Sequence, residues 1–265
     1  IDVKAVADAP EVTISITPST DNPSSDGSNN QNGGTSNSGN NSSDWWEGYS
    51  SKDDIIDTTS NYTKTNNYNN WNNYTNNSDS IEINGNQNQW ISTENGDDNV
   101  YIAKNSNGGM NTGAGDDRVF IQGNSTSEIT LDSGNDELHI IGNASTISAG
   151  DGNDKIRIDG NAKGTIELGN GNNYLEIKGN ASSIQVSQNS GNDRVIVSGN
   201  ATNNISLGAG DDYLDGGAGV DTLNGGDGDD RLVFDKADAS IDGGAGKDSF
   251  DMDSFNLEAT LNNFK

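Results

Sequence analysis

From Ile81 onward the chain returns to one short pattern every 18–20 residues, and that period constrains the fold more than any other feature. One residue marks the register: Asp98, Asp117, Asp136, Asp154, Asn173, Asp193, Asp212, Asp230 and Asp248, at intervals of 19, 19, 18, 19, 20, 19, 18 and 18. Each interval holds two alternations of aliphatic and polar residues. The first runs Val119-Phe120-Ile121, Leu138-His139-Ile140, Ile156-Arg157-Ile158, Leu175-Glu176-Ile177 and Val195-Ile196-Val197. The second is Ile129/Leu131, Ile147/Ala149, Ile166/Leu168, Ile184/Val186 and Ile205/Leu207. Strand side chains alternate faces, so each alternation turns two aliphatics to one side. Helical periodicity is absent. The pattern predicts an all-β parallel roll, a β-solenoid of stacked coils in which two facing strands enclose about four aliphatic side chains per coil.

That core is thin, and the composition sharpens the problem. Only 47 of 265 residues are Leu, Ile, Val or Phe, and 41 acidic against 14 basic side chains leave a net charge of −27. Such a chain stays disordered unless something outside it cancels the charge. The acidity excludes nucleic acid as a partner, because no basic stripe exists to displace counterions. The absence of cysteine removes disulfides, zinc–thiolate sites and thiol catalysis. No apolar run approaches the roughly 18–20 residues that span a bilayer. Ile1–Pro10 lacks the basic start and apolar centre of a signal peptide.

The turn before the first strand of each coil has the form Gly-x-Gly-x-Asp, clearest in Gly113-Ala-Gly115-Asp-Asp117, Gly150-Asp-Gly152-Asn-Asp154 and Gly208-Ala-Gly210-Asp-Asp212. After Asp212 the interval halves: Asp221 and Asp230 follow at nine, in GGAGVDTLN and GGDGDDRLV, and GGAGKDSFD begins at Gly243. Glycine reaches positive φ without steric cost and lets carbonyl oxygens approach an ion. Aspartate adds a hard anionic oxygen. Carbonyl and carboxylate oxygens without nitrogen or sulfur select calcium, which takes about six to eight such ligands. Stacked turns bring successive aspartates to about 4.8 Å, where they repel unless a cation lies between them.

The nonapeptide turns resemble the calcium-binding β-roll of the repeats-in-toxin (RTX) family, over about Ile81–Asp251. The resemblance implies several calcium ions between successive turns, held by aspartate carboxylates and glycine-loop carbonyls. Carried onto this chain, the implied metal residues are Asp98; Gly113, Gly115 and Asp117; Gly134 and Asp136; Gly150, Gly152 and Asp154; Gly169, Gly171 and Asn173; and Gly191 and Asp193. They continue with Gly208, Gly210 and Asp212; Gly217, Gly219 and Asp221; Gly226, Gly228 and Asp230; and Gly244, Gly246 and Asp248. Asn173 keeps an oxygen but loses a charge, and Glu94, Asp132 and Asn189 replace the first glycine of their turns. Those sites are expected to be weaker, and the tandem nonapeptides from Gly208 to Asp230 the tightest.

The opposite turn carries asparagine instead: Asn86, Asn105, Asn124, Asn143, Asn161, Asn180 and Asn200. A hydrogen-bonded amide ladder is expected there rather than a metal row, with calcium on both sides for about one coil from Asp221. The Asn-x-Ser/Thr matches at Asn124, Asn143, Asn180 and Asn200 follow from the repeat and are not read as glycosylation signals.

Ahead of the roll, residues 1–17 read as a connecting strand or the tail of an immunoglobulin-like extender, and 18–43 as a flexible Ser/Asn/Gly linker. Residues 44–80 form an Asn-rich segment with Trp45, Trp46, Tyr49, Tyr62, Tyr68, Trp71 and Tyr74, read as an N-terminal cap; 81–265 are the roll. The strand middles Tyr101, Phe120 and His139 point outward, either as an exposed contact patch or under the aromatic segment. AVADAPEV resembles the junction between extender repeats of giant bacterial adhesins exported by type I secretion, so the chain is expected to be a piece of such a protein. The functional reading is a non-catalytic, monomeric, calcium-dependent module of a secreted cell-surface adhesin, with a role in biofilms and with glycans, cells or ice as partners of the parent protein. The alternatives are an ice-binding RTX module and the RTX region of a secreted enzyme or toxin. An outward row Asn135, Asn153, Asn172 and Asn192 favours ice; Ala114, Ser133, Asp151, Asn170, Ser190 and Ala209, standing where such modules carry threonine, do not.

Overall fold

A computed structural model describes residues 13–14, 78–185, 191–201 and 204–252. Among them the chain winds into a parallel β-solenoid of about nine coils, without helix. Two sheets run its length, one of eleven strands and one of nine. The first strand of each coil pairs in parallel with those one coil before and after, as Lys155–Ile158 does with Glu137–Ile140 and Tyr174–Ile177. The second strands do the same in the other sheet, where Ile166 stands between Ile147 and Ile184.

The repeat length fixes this register, because a return every 18–20 residues places like residues on like. One aliphatic ladder climbs Val100, Val119, Leu138, Ile156, Leu175, Val195 and Leu214. A facing ladder climbs Met110, Ile129, Ile147, Ile166, Ile184, Ile205 and Leu223. All of these are buried in one continuous core. Leu131, Ala149, Leu168 and Leu207 complete the second inward row, while Val186 lies outside the described residues. Small side chains, Ala144, Ala162, Ala181 and Ala201, line the inside of the asparagine turn. Near the first coils Thr93 and Thr112 take inward positions, and their hydroxyls donate to the Thr112 and Leu131 carbonyls at 2.7 and 3.1 Å.

The outward face of the larger sheet is not an exposed patch. Tyr101, Phe120, His139 and Arg157 are all buried. Tyr101 and Phe120 stack with centroids 5.9 Å apart, and His139 meets the Phe120 ring edge-on at 5.0 Å. Asp159 draws in Arg157, Lys178 and His139 at 3.0, 3.1 and 3.2 Å. The expected cover, Asp44–Asn77, lies outside the described residues, as do the linker 18–43 and most of 1–17. Within that last stretch Thr13–Ile14 pairs in parallel with Ser249 and Phe250 at the far end of the larger sheet.

Burying a leucine in so narrow a core leaves no slack for its removal. Leu138→Ala should lower stability in calcium by about 2–5 kcal/mol, read as a drop in the urea midpoint. Ile141→Ala, at a side chain 41% exposed, should stay within about 0.5 kcal/mol.

Candidate metal centre

The glycine–aspartate turns stack into one edge of the solenoid, and the marker residues form a column inside it. Asp98, Asp117, Asp136, Asp154, Asp193, Asp212, Asp230 and Asp248 are each no more than 3% exposed. Each carboxylate accepts through Oδ1 a backbone N–H from the coil before. Asp98 donates to Asp117 at 2.7 Å, Asp117 to Asp136 at 2.8 Å, Asp136 to Asp154 at 2.9 Å, Asp193 to Asp212 at 2.7 Å and Asp212 to Asp230 at 2.8 Å. The column starts one coil earlier than the sequence reading placed it, since the Asp79 N–H donates to Asp98 at 2.6 Å. Asp79 stands 19 residues before Asp98, so the period itself carried the signal.

The second carboxylate oxygen is the distinguishing feature. Oδ2 of Asp98, Asp117, Asp136, Asp154, Asp212, Asp221 and Asp230 is buried and meets no hydrogen-bond donor. A buried polar atom without a partner costs about 1–3 kcal/mol, and more when charged. Neighbouring carboxylates about 4.8 Å apart add about 3–4 kcal/mol of repulsion at an effective dielectric constant near 20. Six such atoms, all but that of Asp221, form a row of vacant hard-oxygen donors on one edge.

The turns explain why glycine is needed beside them. Gly152 sits at φ 141° and Gly210 at φ 143°. A Cβ on Gly152 would lie 1.8 Å from the Gly134 carbonyl oxygen, and one on Gly210 would lie 2.0 Å from that of Gly191. The carbonyls of one coil therefore press against the glycines of the next, beside the carboxylate column. Glu94 and Asp132, which replace the first glycine of their turns, are left-handed non-glycine residues at φ 73° and 70°. They keep the glycine conformation at a steric cost of about 1–2 kcal/mol each. Asn189 lies outside the described residues.

This donor set fits calcium. Among the described residues no three acidic, histidine or cysteine side chains converge as a cage. A cation between turns would be held by one or two carboxylates completed by loop carbonyls, a hard all-oxygen shell. Calcium would supply charge neutralisation and bridge successive coils.

The two outer rows flanking the column behave differently. Beside it, exposed Asp97, Asp116, Asn135, Asn153, Asn172, Asn192, Asp211 and Asp229 form a ladder in which each side-chain oxygen accepts from the following coil, as Asn135 N–H does to Asp116 at 2.8 Å and Asn192 N–H to Asn172 at 2.6 Å. On the opposite edge the expected asparagine ladder is present. Asn143 donates its backbone N–H and its Nδ2 to Asn124 Oδ1 at 2.8 and 3.1 Å, and Asn161 does the same to Asn143 at 2.9 and 3.0 Å. Amides carry both donors and acceptors, so that edge satisfies itself.

Asp221 lies on this opposite edge, one coil after Ala201 and in line with the buried alanines. Its Oδ1 accepts the Ala201 N–H at 2.8 Å, and its own N–H donates to Asp238 at 3.2 Å. Asp235 and Asp238 close the turn above it: Asp235 N–H donates to Asp238 Oδ2 at 2.9 Å, and Gly219 N–H to Asp235 at 3.4 Å. Neither residue belongs to a Gly-x-Gly-x-Asp motif, so the motif alone did not mark them.

Without a cation the column can be neutralised only by protons. Burial pushes Asp98, Asp117 and Asp193 up to about 7, Asp136 to about 8, and Asp154, Asp212, Asp221 and Asp230 to about 6. A carboxyl raised above its unfolded value stabilises the fold fully below that value, near 3.8, and loses the contribution as pH rises through the folded value. The calcium-free chain should therefore be most stable near pH 4 and lose stability steadily to pH 8. With saturating calcium the loss between pH 6 and pH 8 should vanish. Urea midpoints against pH, with and without EGTA, measure both.

Comparison with known proteins agrees with this geometry. Residues 197–232 match the RTX calcium-binding nonapeptide repeat in four copies. No curated protein matches the sequence. The fold is similar to a hyperactive, Ca2+-dependent, β-helical antifreeze protein from an Antarctic bacterium, solved by X-ray crystallography, with a TM-score of 0.51 and 22% identity over 82% of this chain and 90% of that one. The chain thus carries RTX calcium-binding repeats wound into a parallel β-solenoid, and its cofactor is Ca2+.

Proposed function

We propose that this chain is a calcium-dependent folding module of a secreted cell-surface adhesin, structural or adhesive in role and not catalytic. The observation that carries the reading is the row of buried, donorless Oδ2 atoms from Asp98 to Asp230. Asp98, Asp117, Asp136, Asp154, Asp193, Asp212, Asp230 and Asp248 would hold the ions along one edge, with the carbonyls of their glycine turns, and Asp221 would hold one on the other. In a calcium-poor cytoplasm the carboxylates repel, and the chain stays unfolded and threadable through a type I exporter. Outside the cell, calcium near 1 mM meets sites of the extracellular class, whose dissociation constants are about 10⁻⁴–10⁻³ M. At about 10⁻⁴ M each site gains about 1.4 kcal/mol, and about six such sites gain about 8 kcal/mol. That matches the whole stability of a typical domain, so calcium decides whether the coil forms.

The thin core supports the same reading, since it leaves folding to the ions. At pH 8, where the carboxyls are ionised, EGTA should abolish the β-sheet circular dichroism of the full chain, and millimolar calcium should restore it. A sheet signal indifferent to EGTA would rule the reading out. Replacing Asp212 and Asp230 together with alanine should raise the calcium midpoint of folding severalfold. Replacing Asn173 with alanine should move it far less.

A second reading is favoured by the solenoid likeness to the antifreeze protein and by the exposed Asx row from Asp97 to Asp229. A regular flat row is what an ice-binding face requires. The neighbouring positions Ala114, Ser133, Asp151 and Asn170 pair in register one coil apart but hold four different residue types, which argues against it. Thermal hysteresis or faceted ice in calcium would select the ice-binding role over the adhesive one.

A further inference from the structure

We propose that the side-chain amide of Asn173 stands in for a cation in its own turn, so that the row of calcium ions is interrupted there. The inference rests on the calcium reading above, and it concerns the one position in the column that is not an aspartate. Asn173 is 2% exposed, as deep as its neighbours. Its Oδ1 accepts the Asp154 N–H at 2.9 Å, the same bond that each aspartate makes with the coil before it. That bond fixes which way the amide faces, because Nδ2 has no lone pair to offer an N–H. Nδ2 therefore occupies the place where Asp154 or Asp212 presents its vacant Oδ2.

From there Nδ2 donates to the Gly171 carbonyl of its own turn at 3.2 Å. Asp193 in turn accepts the Asn173 N–H at 2.7 Å. The amide thus occupies a loop carbonyl of the kind that a calcium ion would use, while the backbone N–H of the same residue holds the carboxylate of the next coil. A consequence is visible in the column itself. Donorless Oδ2 atoms occur at Asp98, Asp117, Asp136 and Asp154 before Asn173, and again at Asp212 and Asp230 after it. At Asn173 the second oxygen is replaced by a nitrogen that donates, so that turn offers no vacant acceptor.

An ion brought to this turn would meet N–H hydrogens instead of lone pairs. It would also have to break the bond to Gly171. Neutral asparagine lowers the local charge as well, so the electrostatic demand for an ion is smallest there. The row divides into two, one along Asp98–Asp154 and one along Asp193–Asp248, joined by a coil that closes through its own hydrogen bonds.

The test is an ion count on the full chain at saturating calcium, by equilibrium dialysis with atomic emission, with circular dichroism to verify folding. Asn173→Asp removes the donor and restores the second oxygen, and it should bind one more calcium per chain than the wild type. Asn173→Ala should leave the count unchanged while lowering the melting temperature. An unchanged count in Asn173→Asp, or one ion lost in Asn173→Ala, would overturn the inference by showing that Asn173 is an ordinary ligand. If Asn173→Asp does not fold, the Asn173→Ala count decides. Failure of the wild type to bind calcium at all would instead sink the calcium reading.

Discussion

Repulsion within a buried column of like charges is the constraint on which this fold turns. Each carboxylate of the turn edge is anchored by one backbone N–H, which fixes its position but satisfies only one of its two oxygens. Among the described residues no donor reaches the other oxygen at Asp98, Asp117, Asp136, Asp154, Asp212 and Asp230. Of the 14 basic residues, Arg157 and Lys178 gather around Asp159 on the sheet face, away from the column. A charge of −27 cannot be neutralised from within, so the second oxygens await either protons or a divalent ion. Protons suffice only where the carboxyls are raised toward pH 6–8 by burial. Calcium would neutralise the column above that range as well, and an ion between turns would tie one coil to the next.

The two edges solve one geometric problem with opposite chemistry. Both must stack a polar turn every 18–20 residues without leaving backbone groups unpaired. The asparagine edge uses a side chain that donates and accepts, so each amide satisfies the next and no ion is needed. The aspartate edge uses a side chain that only accepts, so its second oxygens are left for a cation. Even the direction of the bonds differs. Along the aspartate column the N–H of one coil reaches the carboxylate of the following coil, whereas along the amide ladder it reaches back. Asn173 places the self-satisfying chemistry in the ion-requiring column.

Much of this was legible because a solenoid writes its fold into a one-dimensional repeat. The period gave the coil, the double alternation gave the two sheets, and the glycine–aspartate spacing gave the turn edge. Glu94 and Asp132 stood out in the sequence as misplaced glycines, and the structure holds both at left-handed φ. What escaped was set by contacts the repeat does not encode. The burial of Tyr101, Phe120 and His139 depends on what covers an outward face, which no period specifies. The alanines at 144, 162, 181 and 201 are buried by the tightness of the asparagine turn, and a single small residue per coil is a weak signal. Asp235 and Asp238 sit in a turn that abandons the motif, so only the fold reveals that they close over Asp221.

In a solenoid each coil touches only its neighbours, so stability is nearly a sum of adjacent pairs. The terms of that sum are uneven here. Early coils hold left-handed Glu94 and Asp132 and polar inward side chains at Thr93 and Thr112, each of which weakens the local sum. Later coils have glycine at every such turn position from Gly208 to Gly246, and inward Leu207, Leu214, Leu223 and Leu232. The halved interval after Asp212 also adds a second glycine–aspartate turn within one coil, on the opposite edge. A pair of adjacent coils must exist before an ion can sit between them, and the first such pair forms where the chain itself opposes it least. That place is the stretch from Gly208 to Asp230, so the nonapeptide repeats are where winding is expected to begin.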